Sequence, residues 1–376
     1  MIATNRYLDT LERSGIRRFT NLANAYPDCI KLTIGEPDFD TPAPIKAAVL
    51  NALAENRTHY APNQGVAALR REIAAFETRR GMQCKEEQVL ITAGATGALF
   101  TALMGILNPD DEVIIPTPAF PLYESIVRLA GAKPVFLDTK KDGFQLTSAA
   151  LEEAITPKTK AIVLNSPNNP TGAVLTEASL KAVKAAVLGK DIFLVCDQVY
   201  QGLSREKLPD LTLEKALEKQ LFLCQSFSKP YAMTGWRVGY LIGPEPIMER
   251  LLLLHAAKVA AIPTFLQDAC ITALTVDVGE MAEIYEKRRS FVCRRLDEMG
   301  LSYPKPKGAF YVFPEISQFG MSDEEFCTRL ITEGKVAAVP GSCFGCPGHI
   351  RISYCCGDAQ LETGLARLEA FLRNNF

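Results

Sequence analysis

The sequence predicts an α/β protein: a mostly parallel, seven-stranded mixed sheet with helices on both faces, joined to a smaller α+β domain. Three observations carry that expectation. Seven short apolar runs fall within residues 89–243, namely VLIT, EVIIP, KPVFLD, AIVLN, IFLVCD, LFLCQS and RVGYLIG. Their Val, Ile and Leu residues follow one another with little polar alternation, as in strands buried on both faces. Helix-like stretches, among them 96–107, 119–130 and 176–188, separate most of the runs, and that alternation marks a parallel sheet. Finally, 376 residues with 48% hydrophobic and 22% charged side chains exceed one small core, so two domains are expected.

Taken in order, the runs also place the polar residues. Thr92-Ala93-Gly94-Ala95-Thr96-Gly97 follows the first run and opens a helix, and residues 116–123 follow the second. SPNNPTG follows AIVLN, Asp197 and Tyr200 close IFLVCD, and Ser226 to Lys229 follow LFLCQS. Ligands of open α/β sheets bind outside the carboxyl ends of the strands, so these five segments should converge on one rim. Arg237 begins its run instead of ending it, so it reaches that rim only if RVGYLIG runs antiparallel. After about residue 280 come a charged helical stretch, GAFYVFP, a helix near 323–333, HIRISY, and an amphipathic helix ending near 374. This is the α+β layer.

Composition excludes several classes of function. A net charge of −2 offers no basic stripe for nucleic acid or an anionic membrane. The N-terminal segment lacks the apolar core of a signal peptide, and the greasiest stretch, 251–265, is broken by His255, Lys258 and Pro263. Eleven cysteines without an export signal read as reduced thiols, hence a cytoplasmic protein. Cys343 and Cys346 are spaced CxxC beside Cys355 and Cys356. If HIRISYCC is a strand, the adjacent pair points to opposite faces, so no metal site is expected.

The chemistry centres on SFSKPYAMTGWRVGY, residues 226–240. Ser226, Ser228 and Arg237 form a dianion-binding set, because a guanidinium fork matches two phosphate oxygens and hydroxyls donate to the rest. Lys229 beside such a phosphate has what a Schiff base with pyridoxal phosphate requires. Alone, the same residues read better as a surface lysine and an exposed arginine in a Ser-rich turn, and it is the rest of the chain that reverses this. Gly94, Ala95 and Thr96 bring backbone N–H groups to a helix start, where anions bind. Their pattern fits neither a dinucleotide fingerprint nor a P-loop. Asp197 ends a buried run, where a carboxylate is costly without a partner.

Together, SPNNPTG, DQVY and SFSKPYAMTGWRVGY resemble, in order and spacing, the pyridoxal-phosphate-dependent aminotransferases of fold type I, class I/II. The resemblance extends from LTIGEPDFDTP to IRISY, and SGIRRF and LTIGEPDF are similar to the bacterial aromatic and N-acetyl-diaminopimelate branch. It implies an arm with part of the small domain at 1–40, a large cofactor-binding domain at 41–278 and a small domain at 279–376. It also implies roles. Asp197 partners the pyridine nitrogen, Tyr200 and Asn169 hold the cofactor's ring oxygen, and Phe120 stacks on the ring. Tyr60 reaches the phosphate of a neighbouring subunit in a homodimer, and Arg351 takes the substrate α-carboxylate with Gly35 and Asn169 alongside. Gln198 stands where relatives often carry an acid, and should point away.

The reaction so implied is a ping-pong transamination between an L-amino acid and a 2-oxo acid, with 2-oxoglutarate as acceptor. Lys229 holds the cofactor and shuttles the proton, while Asp197 and Tyr200 tune the ring. The alternatives are a C–S β-lyase using the same lysine and a non-catalytic cofactor-binding regulator. The donor side chain stays open. Arg17 and Arg18 either meet a distal carboxylate or form a solvated basic surface.

Overall fold

The computed structural model describes residues 4–204 and 206–376. The N-terminal segment carries helix α1 (Gly15–Asn24) and a two-residue strand, β1 (Ile30–Lys31). Helices α2 (Ala43–Ala54) and α3 (Ala67–Arg80) then lead to the main sheet. Its elements in chain order are β2 (Val89–Thr92), α4 (Gly94–Ile106), β3 (Glu112–Thr117), α5 (Leu122–Leu129), β4 (Lys133–Asp138) and α6 (Ser148–Ala154). They continue with β5 (Thr159–Asn165), α7 (Glu177–Val187), β6 (Phe193–Asp197), β7 (Leu221–Ser226) and β8 (Gly239–Ile242). Each of the seven apolar runs is a strand.

The spatial order is β2-β8-β7-β6-β5-β3-β4. Strand β8 pairs antiparallel with both β2 and β7, as the position of Arg237 requires, and the other pairings are parallel. Along the central strands successive residues enter two different cores. Leu90, Val113, Val163, Val195 and Leu241 face one; Ile91, Ile114, Ile162, Leu194 and Tyr240 face the other. Burial on both faces removes the polar alternation from the sequence. Strand β4 is one of the two edges, and there Lys133, Asp138 and half-exposed Phe136 reappear, with Pro134 inside the strand.

Helices α8 (Glu245–Val259), α9 (Thr264–Ala273) and the long α10 (Gly279–Glu298) lead away from the sheet. Beyond them lie β9 (Tyr311–Val312), α11 (Asp323–Thr332), β10 (Val336–Ala337), β11 (Val339–Pro340), β12 (Ile350–Ser353) and α12 (Asp358–Asn375). Strands β11-β12-β9 form an antiparallel sheet, while β1 pairs parallel with β10. Phe19 of α1 joins the core of this layer beside Val292, Leu296, Phe326, Leu330 and Leu365. The N-terminal segment is therefore anchored to the C-terminal layer.

Two details differ from the expectation. Strand β12 stops at Ser353, so Cys355 and Cys356 lie beyond it and the opposite-face reasoning does not reach them. GAFYVFP yields only two strand residues, because Pro314 and the turn before Tyr311 interrupt the ladder. Among the described residues no helix is long and apolar enough to cross a membrane.

Candidate active site

A cavity of about 530 Å³ opens where the carboxyl ends of the parallel strands meet the C-terminal layer. Gly35, Ala95, Thr96, Phe120, Asn169, Asp197, Tyr200, Ser226, Ser228, Lys229, Arg237 and Arg351 all line it. Of the predicted residues only two lie outside this lining. Gly94 sits directly behind Arg237: a Cβ built there would come within 2.8 Å of Arg237 Nη2. Tyr60 is 96% exposed and far from enclosed.

Local folding explains each position. Residues 226–228 turn so that the Ser226 hydroxyl donates to Ser228 Oγ at 2.8 Å, packing two hydroxyls together at the end of β7. Arg237 adopts φ +57°, a left-handed conformation uncommon for a side chain this large, just before β8 turns back into the sheet. Its Nη1 donates to the Thr234 carbonyl at 2.9 Å. Helix α4 begins at Gly94 with φ +68° and has no side-chain cap, so its first N–H groups stay available.

Asp197 is buried at the end of β6. Tyr123 Oη donates to its Oδ2 at 2.7 Å, and the Val199 N–H donates to Oδ1 at 3.3 Å. Burial pushes the carboxyl up to about 6, and these two donors pull it back only in part. No cationic side chain is bonded to it among the described residues. Gln198 does point away, donating to Asp210 Oδ1 at 2.6 Å. Lys229 is nearly enclosed, and burial lowers its ammonium to about 8. Its Nζ donates to the Gly35 carbonyl at 2.5 Å.

Arg351 projects from β12 with 2% of its surface exposed. Nη1 donates to Asn169 Oδ1 at 2.8 Å, Nη2 donates to the Thr33 carbonyl, and Nε is buried without a partner. The guanidinium lies between the Tyr311 and Phe344 rings, 4.6 and 4.9 Å from their centroids. A buried guanidinium whose partners are all neutral is electrostatically unfinished.

Several further residues line the cavity. Tyr123 lies one turn beyond Phe120, and a tyrosine inside a buried helix needs a hydroxyl partner; that cue was available. Tyr311, in the apolar run GAFYVFP, is likewise a tyrosine whose hydroxyl needs a partner. Its hydroxyl lies 3.1 Å from Tyr200 Oη, and Asn169 Nδ2 lies 3.4 Å from that same oxygen. Ile16, Arg17 and Thr20 of α1 also line the cavity. Arg18 turns outward to an ion pair with Glu324, whereas Arg17 has no acid partner among the described residues.

Comparison with known proteins finds relatives over nearly the whole chain. The family described as "Aminotransferase class I and II" matches residues 27–368. A probable N-acetyl-LL-diaminopimelate aminotransferase of Bacillus subtilis is 41% identical over 369 residues, 96% of this chain and 94% of that protein. Aromatic-amino-acid aminotransferase 2 of Thermococcus litoralis is 38% identical, with 99% of both chains covered. Among solved structures, the aspartate aminotransferase of Thermus thermophilus with maleate superposes at a TM-score of 0.93, with 33% identity over 98% of this chain and 100% of that one.

Proposed function

The chain belongs to the class I and II aminotransferases, pyridoxal-phosphate enzymes that transfer nitrogenous groups, and we propose that it moves the amino group of an L-amino acid with a large, mostly apolar side chain onto 2-oxoglutarate in a ping-pong exchange. The observation that carries the reading is Arg351, a buried cation whose Nε lacks a partner beside the cavity that Lys229 and Asp197 share. An α-carboxylate completes it, for donor and acceptor alike. The relatives' names favour transamination over the lyase.

The residues fit the cofactor. Asp197 is a buried carboxylate with no cation bonded to it among the described residues, a partner that a protonated pyridine nitrogen would supply. Gly94 leaves the Arg237 guanidinium free to approach the uncapped start of α4, and Ser226 and Ser228 add hydroxyl donors, a cup for a phosphate. Phe120 offers a ring face, while Tyr200 and Asn169 offer donors to a ring oxygen. When bound, pyridoxal phosphate supplies an electron-withdrawing ring that lets a proton leave the substrate's α-carbon.

Lys229 then acts as general base and acid. Held near 8 by burial, its amine is neutral in a useful fraction at physiological pH and takes and returns that proton. Asp197, at about 6, is charged at the same pH. Arg351 and Asn169 fix the carboxylate, and Gly35 leaves room beside it. Ile16, Ile34, Leu99 and Leu122 give the side-chain end an apolar wall, and unpaired Arg17 supplies one cation there for a distal carboxylate.

We read the 41–278 and 279–376 units as enclosing this site between them. Tyr60, exposed on the isolated chain, supports a homodimer in which it serves the partner's phosphate cup. The free cysteines support a reducing, cytoplasmic setting. The test loads the enzyme with cofactor and mixes it with single amino acids and oxo acids, following the visible band through each half-reaction. Arg17→Ala should raise the KM for 2-oxoglutarate about tenfold while leaving pyruvate within about twofold. Equal changes for both acids would remove Arg17 from the acceptor site.

A further inference from the structure

Tyr311 has no role in the reading above, yet its hydroxyl sits at the centre of the site's polar network. The inference drawn from it rests on the placement of Tyr200 at the cofactor's ring oxygen. Start with Asn169. Arg351 Nη1 can only donate, so the amide oxygen facing it at 2.8 Å is fixed as Oδ1. The amide nitrogen therefore faces Tyr200 Oη, at 3.4 Å, and can only donate there. Among the described residues Tyr200 Oη has one further hydrogen-bond partner, Tyr311 Oη at 3.1 Å, where either oxygen can be the donor.

Proton counting leaves two arrangements, and a Tyr200 that serves the cofactor's ring oxygen selects between them. Burial raises both phenols, Tyr311 to about 12, so each keeps its proton near neutral pH. A phenol oxygen accepts two hydrogen bonds and donates one. If Tyr200 spends its proton on Tyr311, none remains for the cavity. If Tyr311 donates, Tyr200 accepts from two sides and its O–H must point in the third direction, into the cavity. The Tyr311 hydroxyl has no other hydrogen-bond partner among the described residues.

The chain holds Tyr311 in that place. Its ring lies under the Arg351 guanidinium and makes edge contacts with Tyr200 and Phe310. A Cβ at position 35 would fall 1.7 Å from Tyr311 Oη, so only glycine lets the hydroxyl occupy this spot. We propose that Tyr311 is a positioning residue which donates its hydroxyl proton to Tyr200, directing the Tyr200 O–H at the cofactor and strengthening it as a donor. Arg351 and Tyr311 thus set the two inputs to one phenol.

The test uses the cofactor-loaded enzyme and reads the pH midpoint of its visible absorption band. Tyr200 donation favours the charged ring oxygen, which lowers that midpoint. Tyr311→Phe keeps the ring beneath Arg351 and removes the donor. The midpoint should rise by about half a unit, and kcat should fall about tenfold with KM within about twofold. A difluorinated tyrosine at 311, a stronger donor of nearly the same shape, should move the midpoint down, which keeps the proposal testable if the Phe variant fails to fold. In a Tyr200→Phe background, Tyr311→Phe should add almost nothing. A midpoint unmoved or shifted oppositely by the fluorinated residue, or additive effects of the two Phe changes, overturns the proposal. If Tyr200→Phe alone leaves the midpoint in place, the underlying assignment of Tyr200 fails instead.

Discussion

Arg351→Gln separates binding of the carboxylate from everything else in the site. The native guanidinium spends one hydrogen on Asn169 and one on the Thr33 carbonyl, leaving Nε–H and one hydrogen on each Nη for a ligand. Glutamine keeps a neutral donor near Asn169 but loses the charge and the fork. Hydrogen bonds to a charged partner contribute about 1.5–3 kcal/mol each, and two shared with one carboxylate give roughly 3–4 kcal/mol together. At about 1.4 kcal/mol per decade, kcat/KM for an L-amino acid should fall about 100- to 1,000-fold. An arylalkylamine without a carboxylate should lose less than about threefold, because it never used the fork. The assay is the single-turnover half-reaction, run with both amines on parent and variant. Parallel losses for the two amines would refute the assignment. A thermal melt of the cofactor-free variant adds a check: removing a buried charge with no anionic partner should cost the fold little, within about 2 °C.

Two further outcomes follow from the site. Asp197 has a folded value near 6 against about 3.9 unfolded, so the folded chain holds the extra proton between them. Its contribution to the cofactor-free protein is complete below about pH 4 and disappears as pH rises through 6, a loss of about 2–3 kcal/mol. Denaturant unfolding of the parent relative to Asp197→Asn should show that difference between pH 4 and 7, and parallel curves would count against it. Subunits carrying Tyr60→Ala and Lys229→Ala, mixed at limiting cofactor, should recover about a quarter of parental activity, since half the random dimers carry one intact site. No recovery, or a fully active monomer in sedimentation, would place the whole site within one chain.

How far the sequence could be read depended on how each feature is encoded. The seven central strands were legible because burial on both faces writes an unbroken apolar run, VLIT or AIVLN, bounded by turn residues. The strands of the second layer were not resolved in detail, since two residues such as Tyr311–Val312 hold no period. Lys229, Asp197 and Arg351 stood out as charges set within or just after apolar runs. Tyr123 and Tyr311 stand in apolar surroundings that do not say what their hydroxyls meet, and the fold supplies Asp197 and Tyr200. Arg17 and Arg18 are adjacent and alike in sequence. The helical step between neighbours turns one into the cavity and the other to Glu324.

Two of the site's cations are received by carbonyls: Arg351 by that of Thr33, Lys229 by that of Gly35. A main-chain acceptor survives any exchange of side chain at its own residue. Position 33 can therefore change its side chain without deleting the acceptor. Position 34, whose side chain borders the cavity between them, can be rewritten to suit a different substrate while both anchors persist. What this strip does not tolerate is a change of path. An inserted or deleted residue, or a proline that redirects the chain, would withdraw both acceptors at once. Libraries aimed at new substrates should vary Ile34 freely and keep the length of this segment fixed.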